Sequence, residues 1–109
     1  MKIQRSLTAQ LQQALAPGRV MVLYGPRQVG KTTLVRDLLA QVAYSHLYIN
    51  ADEITYRAAL GSQDRRILGE LLGGRELLVI DEAQRVPDIG LSLKILVDSY
   101  PEARIIATG

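Results

Sequence analysis

Two kinds of hydrophobic pattern alternate along this chain. Short apolar runs without polar alternation stand at VMVLY (20–24), HLYIN (46–50), ELLVID (76–81) and RIIAT (104–108). Such runs predict strands buried on both faces. Between them, apolar residues recur at helical spacing. Leu7, Leu11 and Leu15 step by four, and Pro17-Gly18 ends that stripe. Leu34, Val35, Leu38, Leu39 and Val42 share one face of a helix over 31–42. Residues 52–60 and 62–72 predict one broken or two short helices. Gly61-Ser62 marks the break with Ser62 as an N-cap, and Gly73-Gly74 is the stop. Leu93, Leu96, Val97 and Tyr100 form a last stripe, ended by Pro101.

Strands that alternate with helices predict right-handed crossovers and a parallel sheet, so the fold class is α/β. The chain ends directly after a buried-type strand, where a doubly wound sheet normally adds a covering helix. That ending predicts the front part of a larger protein, with Met1 as a natural start.

Composition narrows the picture by exclusion. At 109 residues, 48% hydrophobic, the chain amounts to at most one small domain with a core. Thirteen Lys and Arg against eleven Asp and Glu leave a net charge of +2, which is no electrostatic footprint for nucleic acid. The one tight basic pair, Arg65-Arg66, has Asp64 beside it and reads as a solvated helix face. There is no cysteine and a single histidine, His46, so neither a disulfide framework nor a Cys or His zinc cluster is available. The N-terminal MKIQRSLTAQLQQ lacks the apolar core of a secretory signal, and no run approaches the ~18 apolar residues of a membrane span. A cytoplasmic, reduced, soluble protein is the expectation.

The candidate chemistry begins in LYGPRQVGKTTLV (23–35). Gly25-Pro26-Arg27-Gln28-Val29-Gly30-Lys31-Thr32 fits G-x-x-x-x-G-K-[ST] at every fixed position. A loop that wraps a triphosphate must turn its amide hydrogens inward. Glycine at 25 and 30 permits the dihedrals and the close approach this needs. The loop opens into a helix at about Lys31, whose positive end faces the phosphates. Lys31 can reach the β- and γ-phosphates, and the Thr32 hydroxyl can ligate Mg²⁺. Residues 25–33, closing on Thr33 as a helix-start residue, form the nucleotide-binding stretch. The side chains of Arg27 and Gln28 read as exposed loop positions. A dinucleotide-binding G-x-G-x-x-G is absent.

LLVIDEAQ supplies a second site. Asp81 and Glu82 stand at the C-terminal end of a strand, where parallel α/β sheets bind ligands. Asp81 can hold Mg²⁺ through water opposite Thr32. Glu82 can act as general base on a water that attacks the γ-phosphate. Taken alone, two acids ending a strand are common surface residues. The phosphate loop upstream is what gives them a role. Thr108, after the last apolar run, could sense the γ-phosphate or orient the water, or could simply end its strand.

Together, YGPRQVGKTTL, LYINADE, LLVIDEAQRVPD and RIIATG resemble an AAA-type P-loop ATPase, specifically the prokaryotic AAA-domain "ATP-binding protein" family. The resemblance covers nearly the whole chain. It implies a sheet in the order 1-4-3-2, with the run at 104–108 inserted between 20–24 and 76–81 and the fifth strand absent. It implies a Walker A motif at 25–32, a Walker B motif at Asp81 and Glu82, and sensor 1 at Thr108. It also implies a helical lid and a C-terminal domain beyond residue 109, and possible homo-oligomers or a protein partner. An arginine finger would lie beyond the sensor strand, so Arg85 and Arg104 are not assigned that role. The expected activity is Mg-dependent ATP hydrolysis, slow at best for these residues alone. A helicase-like ATPase (DEAQ resembles a helicase motif), a small-molecule kinase and an inactive nucleotide-binding fragment remain as alternatives.

Overall fold

The computed structural model describes residues 14–23 and 29–109, with the backbone alone at 29–32. Four strands form one parallel sheet: β1 (Val20–Leu23), β2 (His46–Asn50), β3 (Leu77–Asp81) and β4 (Arg104–Thr108). Their spatial order is β1-β4-β3-β2, the order the resemblance implies. Helix α1 (Val29–Gln41) links β1 to β2. Helices α2 (Ile54–Leu60) and α3 (Arg65–Leu72) link β2 to β3, and α4 (Ile89–Ser99) links β3 to β4.

Each face of the sheet has its own core. On one face, Val35 and Leu38 of α1 meet Leu77, Val79 and Ile106, with Leu15 beside them. On the other, Leu60, Leu68, Leu72, Leu93 and Leu96 from α2, α3 and α4 cover Leu78, Ile80, Ile105 and Ala107. Alternate residues of β3 and β4 therefore enter opposite cores, which is why their sequences show no polar alternation. Each fully buried Leu or Ile contributes about 1.5–3 kcal/mol by leaving water. The connection that moves across the sheet from β1 to β2 uses one face. The two that step back, β2 to β3 and β3 to β4, use the other. Crossovers of constant hand require this division.

Local chemistry sets the boundaries. Helix α1 begins at Val29, two residues before the position expected from the sequence. The cap of α3 is also not where the pattern puts it. Asp64 is the N-cap, and its Oδ1 accepts from the amides of Arg66 (2.8 Å) and Ile67 (3.2 Å). Ser62 instead donates its hydroxyl to the Ala59 carbonyl at 2.7 Å and accepts from the Asp64 amide at 3.2 Å. It closes the end of α2 rather than opening α3. Gly73 stops α3 in the left-handed conformation at φ 62°, which glycine adopts without steric cost. Among the described residues, no helix is long and apolar enough to cross a membrane.

Candidate functional site

The C-terminal ends of all four strands lie side by side. Leu23 pairs with Thr108, and Asn50 with Asp81. Across the sheet the ends therefore read Leu23, Thr108, Asp81, Asn50. β1 ends at this edge with Leu23, and the described chain resumes at Val29 in the first turn of α1. The Gly109 amide donates to the Leu23 carbonyl at 3.4 Å, extending the β1–β4 contact past Thr108. Strand period places Asp81 on the same face as Leu77 and Val79, and Thr108 on the same face as Ile106. That is the face α1 covers. Asp81 and Thr108 thus share the face and the edge at which α1 begins.

Asp81 is held from several sides. Its Oδ1 accepts from Thr108 Oγ1 at 2.8 Å and from the Glu82 amide at 2.8 Å. Its Oδ2 accepts from the Tyr48 hydroxyl at 2.5 Å. Thr108 is only 3% exposed, so its hydroxyl is a committed internal donor rather than a frayed strand end. Burial, then the hydrogen bond and charge of Asp81, push the Tyr48 phenol well above its ordinary pKa of 10.0, against a smaller opposing pull from Arg36. Tyr48 was absent from the sequence-based site. Its signal, an aromatic in a β2 run, could not be told from a core residue.

Glu82 adopts the left-handed conformation at φ 54° and ψ 40°, an uncommon one for a residue with a side chain. This turn leads the chain out of β3 into a short 3-10 turn, Ala83–Arg85. The Glu82 carboxylate accepts from Gln84 Nε2 at 2.7 Å. Asn50 Oδ1 accepts from the Asp52 amide at 2.8 Å and shapes the loop after β2. Arg85 reaches Asp52 of that loop, 3.0 Å from Oδ1. Arg104 starts β4 at the opposite end of the sheet, with its guanidinium carbon 3.8 Å from the centre of the Tyr44 ring.

Of the expected phosphate-binding residues, Gly25, Pro26, Arg27 and Gln28 lie outside the described residues. Val29, Gly30, Lys31 and Thr32 are described as backbone of the first turn of α1, and Thr33 follows as an exposed helical residue. The chain has the parts for a divalent cation as far as donor chemistry goes. A carboxylate fixed by hydroxyl and amide donors at a strand end suits a hard ion reached through water. Among the described residues, no cluster of three or more acidic or imidazole groups offers a dedicated metal cage. A shared site of one carboxylate, one hydroxyl and a phosphate would not need one.

The model of a family described as "AAA domain" matches residues 17–109. The chain belongs to the AAA domain family. Its members are nucleotide-binding, ATPase-like proteins, and the four-stranded parallel sheet of this AAA domain, with helices on both faces, is consistent with a P-loop NTPase fold. Two mycobacterial proteins, each called uncharacterized, are similar to it, one from Mycobacterium bovis and one from Mycobacterium tuberculosis. Each is 39% identical over 97 residues, covering 86% of this chain. The AAA domain described here spans 20% of the length of those relatives. No solved structure matches it.

Proposed function

We propose that this AAA domain binds ATP with Mg²⁺ and hydrolyses it at the edge where β1, β4 and β3 end. The observation that carries the reading is the Thr108–Asp81 hydrogen bond. It sits beside the exit of β1, from which the G-x-x-x-x-G-K-T stretch runs into α1. An acid at the end of a central parallel strand, next to a glycine-rich strand-to-helix turn, is the arrangement that phosphoryl chemistry needs.

The roles follow from what each residue can offer. Backbone amides of residues 25–30 take the phosphate oxygens, and the Lys31 ammonium neutralises the β- and γ-phosphates. Thr32 and Asp81 would hold Mg²⁺, whose bound charge offsets that of the phosphate oxygens. Glu82 accepts a proton from water as that water's oxygen bonds to the γ-phosphorus. The bond from that phosphorus to the bridging oxygen breaks, and ADP leaves with the electron pair. Thr108 keeps Asp81 in place and has a hydroxyl at the same edge to orient the water. The general base argues for transfer to water rather than to a small-molecule acceptor.

We further propose a cytoplasmic location. A longer chain, a second copy or a protein partner would complete the site with an arginine. Phosphate release from ATP without an added acceptor tests the reading. Turnover with Mg²⁺ that is independent of single-stranded DNA supports it. Turnover only with single strands would favour a helicase-like ATPase, and turnover only with a small-molecule acceptor a kinase.

A further inference from the structure

We infer that Tyr48 is a positioning residue for the Asp81 carboxylate and so sets how strongly Mg²⁺ supports nucleotide binding; this rests on the nucleotide reading above. Tyr48 lies inside the edge strand β2, opposite Val79 rather than opposite Asp81. Its ring packs against the core that α1 forms with Leu77, Val79 and Ile106. From there its hydroxyl reaches along the sheet to Asp81 Oδ2. The other oxygen, Oδ1, is taken by Thr108 and by the Glu82 amide. Donors from β2, β4 and the turn after β3 therefore fix both oxygens, and with them the plane of the carboxylate.

The phenol alone among these donors engages Oδ2. Without it, the carboxylate loses the donor that reaches it from β2, and its plane is held less firmly. A cation held through water depends on that plane, because the carboxylate oxygens must meet the ion's water shell at fixed angles. Residues that orient a metal ligand typically change metal affinity ten- to a hundredfold when removed. The contact is specific to the hydroxyl. Phenylalanine would keep the ring and its packing and lose only the donor.

The test uses the full-length chain, wild type and Tyr48→Phe, with a fluorescent ADP analogue bound in Mg²⁺ and in EDTA. The expected result is wild-type affinity in EDTA and about tenfold weaker binding in Mg²⁺ for the variant. Equal affinities for both proteins in Mg²⁺ would overturn the assignment and leave Tyr48 a packing residue. Wild-type protein that binds no nucleotide in either condition would overturn the nucleotide reading itself, and this inference with it. A second measurement does not depend on the variant's folding: fluorotyrosine placed at position 48 alone, followed by fluorine NMR. Its signal should move when Mg²⁺ joins the ADP complex. A signal unmoved by Mg²⁺ would overturn the inference.

Discussion

The Thr108 hydroxyl donates to Asp81 Oδ1 at 2.8 Å and joins the ends of two adjacent central strands. The bond is buried on the Thr108 side and directed at a charged-type acceptor, so it bears on both stability and chemistry. Replacing Thr108 by valine keeps the shape and removes the donor. Thr108→Val should lose about 1.5–3 kcal/mol in a urea unfolding curve, as a hydrogen bond to a charged group does. ATP hydrolysis should fall roughly tenfold, about 1.4 kcal/mol of barrier. Wild-type turnover in Thr108→Val would mean that this contact serves the fold alone.

Tyr48 gives a prediction with a definite sign. Its folded-state pKa lies above the ordinary 10.0, through burial first and the Asp81 hydrogen bond second. The stabilisation is therefore fully present below pH 10.0 and is lost as the pH rises beyond it. Phenolate absorbance should reveal this. The chain has five tyrosines, yet wild type and Tyr48→Phe should show equal phenolate amplitude near pH 10.0 while folded. An extra ionising tyrosine in the wild type at that pH would contradict the assignment. Above it, wild type should lose stability more steeply than the variant.

The N-cap of α3 is a third place where one atom decides. Asp64 Oδ1 accepts from two amides that the first turn of a helix otherwise leaves unpaired. Asp64→Ala should cost about 1 kcal/mol in chemical denaturation, and Asp64→Asn, which keeps the acceptor, much less. Equal losses in the two variants would show that charge rather than capping matters there.

The architecture was legible because two signals agree at each element. The apolar runs at 46–50, 76–81 and 104–108 match strands nearly residue for residue, since burial on both faces removes any polar residue that would blur them. Leu93 and Leu96 sit in the core as their spacing predicts. Finer features failed where several residues compete for one role. Ser62 and Asp64 are both good capping types, and only the path of the chain between α2 and α3 selects Asp64. The strand-end acids and Thr108 were legible as positions, because a parallel sheet brings its C-terminal ends together whatever the loops do. The Tyr48 contact was not, since strand pairing alone opposes Asp81 with Asn50 and the bond runs diagonally. Nor was the left-handed turn at Glu82, because glutamate carries no sequence signal for it.

The central claim is that residues 25–32 and the acids ending β3 form one site for ATP and its cation. Nucleotide binding and phosphate release, compared across wild type, Lys31→Ala and Glu82→Gln, test it most directly. Lys31→Ala should lose nucleotide binding, and Glu82→Gln should bind ATP as wild type does and fail to hydrolyse it. Wild-type binding and turnover in both variants would contradict the claim.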